Sequence, residues 1–464
     1  MKNLMYSPKT CSKARLSRDP RFDGKFFTAV KTTGIYCRSI CPAVAPKEEN
    51  VVYYAKAIDA ANAGYRPCLR CRPDSAPDSP VWKGVNTTLE RAIKLIDQGA
   101  LHEASMNSLA ERLGISDRYL RQLFNKHLGI SPKAYSLYQQ CLFAKQLLHQ
   151  TQLPITQVAL ASGFNSIRRF NDCFSSQLNL TPSQVRKTEK INANTLQLHL
   201  SYRPPYDWPS MRDFLTRRAA PSLEWTSDDS YGRSFTWMGS KGCFTARHMA
   251  ADNNFKVTID VDELSNLKSI VNNIRRILDL DVDIQAIEED FAHHFPANVN
   301  WKKGLRLPGV WSVFEAGIRA ILGQQVSLSA AHKLLSQIVN SLGEEYKSHK
   351  IFPRAESLAT SDFDFLKIPE SRKRTLRDFS QGYLTNKHFD QPDNWAQIKG
   401  IGPWTINYAQ LRGLSNPDIF LNTDLVIKKT MANLGEDIIN SDLASPWRSY
   451  LTLQLWHLAS INTN

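Results

Sequence analysis

Ile398-Lys-Gly400-Ile-Gly402-Pro-Trp404-Thr-Ile-Asn-Tyr408, followed by Ile419-Phe-Leu-Asn-Thr-Asp424-Leu-Val-Ile-Lys-Lys, decides the fold of the C-terminal part of this chain. The first stretch reads as helix, tight glycine hairpin, helix. Gly400 and Gly402 are expected to supply positive φ and close backbone approach, and their amides at the start of the second helix can grip a DNA phosphate. The second stretch sets a carboxylate, Asp424, 22 residues after Gly402 and just before an apolar helical pattern. Read locally, Asp424 suits a helix N-cap, which is what most Asp residues ahead of a helix are. Trp404 and Tyr408, four apart on one helix face, can fill a core, and so can Trp456. His457 beside it reads as a packed or capped histidine.

Working outward, the chain is helical in pattern from about residue 310 onward. From about 195 to 290 it alternates polar and apolar residues, as in Leu196-Gln-Leu-His-Leu and Phe255-Lys-Val-Thr-Ile-Asp-Val, with a helical stretch between. Period-two alternation predicts an antiparallel sheet with one covered face. An α+β cap followed by an all-helical domain is expected.

The front of the chain differs in charge. Residues 1–190 carry 28 Lys+Arg against 14 Asp+Glu and residues 191–464 carry 30 against 30, so the whole formal excess of +14 lies in the front. Such asymmetry points to a polyanionic partner, nucleic acid first and an anionic membrane surface second. Within this part an internal repeat stands out. Ser108-Leu-Ala-Glu-Arg-Leu-Gly114-Ile-Ser116 with Tyr119-Leu-Arg-Gln-Leu-Phe124 is echoed by Ile155-Thr-Gln-Val-Ala-Leu-Ala-Ser-Gly163-Phe-Asn-Ser with Arg168-Arg-Phe-Asn and Phe174. Ala110 and Ala159 are 49 apart, whereas Phe124 and Phe174, and Pro132 and Pro182, are 50 apart. The one-residue change falls in a loop, where insertions are tolerated. Each copy reads as a helix-turn-helix. Ser116, Arg118, Arg121 and Gln122 in the first copy and Asn165, Ser166, Arg168 and Arg169 in the second are the candidates to face DNA, on bases or on phosphates. Cys141 and Cys173 read as small buried apolar residues.

Ahead of the repeat, Cys37-Arg-Ser-Ile-Cys41 and Cys68-Leu-Arg-Cys71 give C-x3-C and C-x2-C separated by 26 residues. Two close thiol pairs on short turns match the tetrahedral four-sulfur shell that zinc prefers. A purely structural zinc site and a reactive one share this spacing.

The wording of each part resembles a known family. Ala29-Val-Lys-Thr-Thr-Gly-Ile-Tyr-Cys37-Arg, Asn50-Val-Val-Tyr-Tyr and Ala63-Gly-Tyr-Arg-Pro-Cys68-Leu-Arg-Cys71-Arg-Pro73 resemble the methyl-acceptor domain of Ada-type regulators. That resemblance implies that Cys37 is both a zinc ligand and the nucleophile that takes a methyl group from a DNA methylphosphotriester. The tandem repeat, closed by Gly129-Ile-Ser-Pro132 and Leu180-Thr-Pro182-Ser, resembles the paired DNA-binding domain of the AraC family. The back half resembles the helix-hairpin-helix DNA glycosylases of the AlkA type, 3-methyladenine DNA glycosylase II. Tyr202-Arg-Pro-Pro-Tyr-Asp-Trp208, Arg306-Leu-Pro-Gly309, Phe314-Glu-Ala-Gly-Ile-Arg-Ala-Ile-Leu-Gly323-Gln-Gln-Val-Ser327 and Pro446-Trp-Arg-Ser-Tyr450 carry it together with the hairpin. By this resemblance Asp424 is the catalytic carboxylate, Trp404, Tyr408 and Trp456 form the base pocket, and the hairpin can hold a monovalent cation through backbone carbonyls. Two departures matter: Gln325 stands where that type has an apolar wedge, and Trp404 stands where bifunctional relatives have a Schiff-base lysine. Base excision without strand cleavage is therefore expected. The Pro-Cys-His-Arg nucleophile of full Ada proteins occurs nowhere in the 464 residues, so O6-methylguanine repair is not expected.

Length and composition agree. At 464 residues the chain suits several domains, and 42% hydrophobic with 22% charged residues excludes a disordered or collagen-like polymer. No apolar run approaches the ~18 residues of a membrane span, and the start lacks a secretory pattern, so a soluble, cytoplasmic monomer is expected. The expected fold is multidomain and mainly α with α+β parts: a small zinc-bound α/β module (1–80), an all-α tandem helix-turn-helix (85–188), an antiparallel-sheet α+β cap (193–300) and an all-α helix-hairpin-helix glycosylase domain (301–464). Its function is expected to be excision of alkylated purines joined to a zinc-thiolate sensor and activator acting on double-stranded DNA and RNA polymerase. The alternatives are a regulator with an inactive glycosylase half, and a stoichiometric thiol repair protein without a regulatory role.

Overall fold

The computed structural model describes residues 6–18, 22, 25–41, 43–55, 57–68, 71, 87–97, 99–101, 105–186, 196–296, 299–386, 389–434 and 439–461. Two compact units emerge, one of residues 1–198 with 263–272 and one of residues 199–262 with 273–464.

In the first unit a four-stranded sheet is built in the spatial order Val51–Tyr54, Phe27–Val30, Ile35–Arg38, Arg66–Pro67. The first three strands run antiparallel, and Ile35–Arg38 pairs in parallel with Arg66–Pro67. That parallel step is what brings the two cysteine pairs together: Cys37 lies in one strand and Cys68 directly follows its neighbour. Phe27, Ala29 and Tyr36 are fully buried beneath the sheet.

The helical part of the same unit bears out the repeat. Recognition helices Asp117–Leu128 and Ile167–Leu178 each begin at a serine cap and end on a left-handed residue, Gly129 at φ 75° and Asn179 at φ 51°. Ser116 Oγ accepts from the Tyr119 amide and Ser166 Oγ from the Arg169 amide, so both candidate serines are engaged as N-caps, each worth about 1 kcal/mol. Gly114 and Gly163 turn at φ 69° and 83°. The 19-residue helix Pro132–Gln150 joins the two copies. Cys141 is buried as expected, but Cys173 is only half-buried.

The second unit holds a five-stranded sheet in the spatial order Leu196–Ser201, Asn254–Val261, Ser240–Met249, Ser230–Trp237, Glu224–Thr226. The strands from Glu224 to Val261 pair antiparallel in sequence. Phe255, Val257 and Ile259 point to the covered face, as their alternation requires. The helical remainder packs around Ile318, Ile321, Leu322, Ile338, Phe379 and Trp395. It is not purely helical: Glu345–Tyr346 and His349–Lys350 form a short hairpin. Two such residues per strand are too few to leave an alternation signal.

Buried charge fastens sheet to helix. Arg233 donates to both carboxylate oxygens of Glu315 at 3.2 and 2.8 Å, and Arg319 bridges Glu315 at 2.7 Å and Glu224 at 2.6 Å. Arg233 and Glu315 are both essentially inaccessible. The Coulomb attraction of the paired charges has to offset a desolvation cost of several kcal/mol per ion.

Candidate active site and metal centre

The hairpin forms as expected, with one difference. Gly400 has φ 94°, and a methyl group there would overlap Thr375 Oγ1. Gly402 instead has φ −109° and ψ 177°, an extended N-cap that any residue adopts, so the positive-φ expectation holds only for Gly400. Helix Pro403–Gly413 starts there with proline at its first position, where no amide is needed. Thr375 Oγ1 donates to the Lys399 carbonyl at 2.9 Å, and Gln324 Nε2 donates to the Gly400 carbonyl at 2.8 Å and to Thr405 Oγ1 at 3.0 Å. Gln324 was missed in the sequence. Its neighbour Gln325 is exposed at φ 55°, on the turn between helices Val313–Gly323 and Leu328–Leu342.

Asp424 takes the capping place that the sequence allowed and meets two of the candidate aromatics as well. Its Oδ1 caps helix Leu425–Leu434 by accepting from the amides of Val426 at 3.0 Å and Ile427 at 3.2 Å. Oδ2 accepts from the Trp404 indole N–H at 3.1 Å, and Oδ1 also accepts from the Trp456 indole N–H at 3.4 Å. The carboxylate thus sits half-buried between two tryptophans.

Aromatic rings continue the wall. Trp404 and Tyr408 stack at 5.1 Å between centroids with 24° between planes. Phe214, from the cap helix Trp208–Thr216, lies 6.1 Å from Trp456 at 33°. The sequence reading missed Phe214, as it missed two arginines behind it. Arg218 lies 3.6 Å over the Phe214 ring, and Arg412 lies 4.7 Å over the same ring while donating to Tyr408 Oη at 2.9 Å. Burial works to raise the Tyr408 phenol, but the guanidiniums of Arg412, Arg218 and Arg319 outweigh it and hold it below its usual value. Burial also pulls Arg218 down to about 9, against the stabilising Tyr408. His457 is part-buried and shifted down, chiefly by that burial.

In the first unit Cys37, Cys41, Cys68 and Cys71 converge with all four sulfurs within 4.8 Å of one another. A tetrahedral zinc with ~2.3 Å bonds needs sulfurs a little under 4 Å apart, so the donor set fits that ion closely. The Arg38 amide donates to Cys71 Sγ at 3.4 Å. Cys68 and Cys71 are buried at 8% exposure each, while Cys37 and Cys41 are half-buried.

The exposed DNA-facing candidates lie where the repeat predicts. Arg118, Arg121, Gln122, Asn165, Arg168 and Arg169 are all exposed on their recognition helices or the turn before them. Arg121 is held by Asp117 through two hydrogen bonds of 2.8 and 3.0 Å.

Comparison with known proteins places these parts. The metal binding domain of Ada matches residues 10–74, a helix-turn-helix domain matches residues 109–188, and the AlkA N-terminal domain matches residues 197–312. The chain is 32% identical over 475 aligned positions, 96% of its own length and 95% of the relative's, to the probable bifunctional transcriptional activator/DNA repair enzyme AlkA of Mycobacterium tuberculosis. The chain belongs to this AlkA/Ada-type bifunctional family. Two further relatives divide it. The DNA-3-methyladenine glycosylase 2 of Escherichia coli is 31% identical over 56% of the chain and 96% of that relative. The bifunctional transcriptional activator/DNA repair enzyme Ada of Escherichia coli is 34% identical over 37% of the chain, which covers about half (47%) of that relative. Membership supports zinc as the ion for the four-cysteine centre of this AlkA/Ada-type chain and DNA as its partner. Among the described residues no helix is long and apolar enough to cross a membrane.

Proposed function

We propose that the chain is an alkylation-response protein that excises alkylated purines by hydrolysis and senses backbone methylation through Cys37. The placement of Asp424 carries the first part. Its carboxylate is fixed by a helix N-terminus on one side and two indole N–H groups on the other. A negative charge aimed in advance at the sugar stabilises the cation that develops as the N-glycosidic bond breaks. The bond electrons leave with the purine, which a positively charged 3-methyladenine or 7-methylguanine accepts readily, and water then attacks the sugar. Trp404, Tyr408, Trp456 and Phe214 offer π faces to such a base once it is flipped from the duplex, at ~0.5 to 2 kcal/mol per ring.

Tryptophan at 404 offers no amine for a Schiff base at that position, which supports a product with an abasic site in an intact strand. Gln325, exposed on its turn, faces the gap left in the duplex as a polar wedge. Gly400 and Gly402 set the hairpin amides against a phosphate, and a monovalent cation there would share the hairpin carbonyls with Thr375 and Gln324.

For the sensor, zinc held by Cys37, Cys41, Cys68 and Cys71 keeps the sulfurs as thiolates at neutral pH. Cys37 attacks the methyl carbon of a methylphosphotriester; the S–C bond forms, the C–O bond breaks, and its electron pair stays on the phosphate oxygen. The four-thiolate centre of roughly −2 becomes roughly −1, which lowers repulsion from DNA and raises promoter affinity. The domains act as divided at 1–80, 85–188, 193–300 and 301–464, as a cytoplasmic monomer that contacts RNA polymerase once on its promoter.

Release of 3-methyladenine from methylated duplex by wild type, set against Asp424→Asn, tests the enzymatic reading. Equal release by the two overturns it. No release by either leaves a regulator with an inactive glycosylase half.

A further inference from the structure

Beside the methyl acceptor lies a contact that neither metal binding nor chemistry requires. Tyr36, the residue before Cys37, is fully buried, and its hydroxyl lies 2.7 Å from that of Tyr138. Tyr138 is itself 3% exposed and belongs to the helix Pro132–Gln150 that joins the two helix-turn-helix copies. The two phenols are 102 residues apart in sequence. A second polar contact lies nearby in the chain order of both parts. Asn179, the left-handed residue that ends the second recognition helix, donates through Nδ2 to the Gly64 carbonyl at 3.3 Å, just ahead of strand Arg66–Pro67.

These contacts meet the same two strands that carry the cluster. The Tyr36 carbonyl accepts from the Cys68 amide at 2.9 Å, and Tyr36 is in register with Pro67. The Gly34 carbonyl accepts from Arg66 at 2.8 Å. From Tyr138 the path to the cluster is one phenol pair and one residue of strand; from Asn179 it is one carbonyl and a short strand. A buried hydroxyl pair is costly to leave half-made, so each phenol fixes the other.

We propose that Tyr138 and Asn179 form a docking surface on which the connecting helix and the end of the second copy hold the sensor module, with Tyr138 acting as a positioning residue for the Cys37 switch. This rests on the reading of Cys37 as a methyl acceptor whose alkylation raises DNA affinity. A docked sensor presents its charge to the DNA backbone at a fixed place beside the second recognition helix. A tethered one spreads the same change over many orientations, so most of the affinity gain is lost.

The test uses full-length, zinc-loaded protein, a duplex with a single methylphosphotriester to methylate it, and a duplex selected from a random pool by the methylated wild type. Affinity for that duplex is measured before and after methylation. Tyr138→Phe and, separately, Tyr36→Phe should accept one methyl per chain and bind as wild type before methylation. After methylation they should lose about 2- to 12-fold of the gain, the worth of one hydrogen bond. Asn179→Ala should lose part of it. A full gain in Tyr138→Phe and in Tyr138→Ala overturns the docking alone. An equal loss before and after methylation also overturns it, since Tyr138 is then only a packing residue. No gain in wild type removes the switch reading itself and the docking proposal with it.

Discussion

Trp404 donates its indole N–H to Asp424 Oδ2 at 3.1 Å while its ring stacks on Tyr408, so one side chain both holds the carboxylate and continues the aromatic wall. Under the proposed function, a change at this residue should touch both base release and base binding.

Asp424→Asn keeps an oxygen for the Val426 and Ile427 amides but removes the charge. Base release should fall by at least about 100- to 1,000-fold, with duplex binding and melting temperature near wild type. Asp424→Ala should lose the cap as well and about 1 kcal/mol of stability. Single-turnover release of 3-methyladenine and thermal unfolding check both.

Trp404→Phe preserves a stacking ring and deletes the hydrogen bond to a charged acceptor. Release should slow by about 10- to 100-fold, the range for ~1.5 to 3 kcal/mol, with a smaller change in substrate affinity. A change confined to affinity would show that the indole N–H does not act through Asp424.

Arg233→Met leaves Arg319 alone to balance both Glu315 and Glu224, one uncompensated negative charge in the core. The second unit should lose about 3 to 5 kcal/mol, measured by denaturant unfolding. The double change with Glu315→Gln should recover much of that loss, because the uncompensated charge is gone.

Asp279 gives a pH dependence of known sign. Burial raises its carboxyl to about 6, although the Leu307 amide and the Tyr450 hydroxyl donate to it at 2.8 and 2.9 Å. The folded state holds its proton more tightly than the unfolded state, so this group's contribution is full below pH 4 and is lost as pH rises through 6. Asp279→Asn keeps the acceptor and suits the left-handed φ of 54°. It should stabilise the protein at pH 8 by on the order of 1 to 2 kcal/mol and change little at pH 4, as read by melting temperature against pH.

Removing a metal ligand tests the sensor. Cys71→Ser should lower the zinc content measured by atomic emission from one per chain and abolish methyl uptake, while Asp424-dependent base release persists.

Local chemistry made much of this molecule legible. Each cysteine pair, each helix-turn-helix copy and the hairpin is a short local pattern, and the structure assembles all three. Asp424 was ambiguous in the sequence because capping and catalysis ask for the same carboxylate, and the structure shows the capping directly. What the sequence hid was distance. Phe214 reaches the wall from a helix some 200 residues before Asp424, and Arg412 reads locally as one more helical arginine until Phe214 and Tyr408 are placed beside it. Gln324 and Gln325 are indistinguishable as letters, yet one ties down the hairpin and the other faces solvent at positive φ. The extended Gly402 shows the opposite limit: a glycine invites a special conformation without requiring it.

Thr375 fills the space beside Gly400, and its hydroxyl also holds the adjoining Lys399 carbonyl. Side-chain volume is thus denied twice at this turn, by φ and by an occupied neighbour. A lone substitution at 400 meets both obstacles, and shrinking residue 375 to admit it would cut the tether that steadies the loop. Drift at these two positions is therefore interlocked, and the hairpin loop can change only through paired replacement.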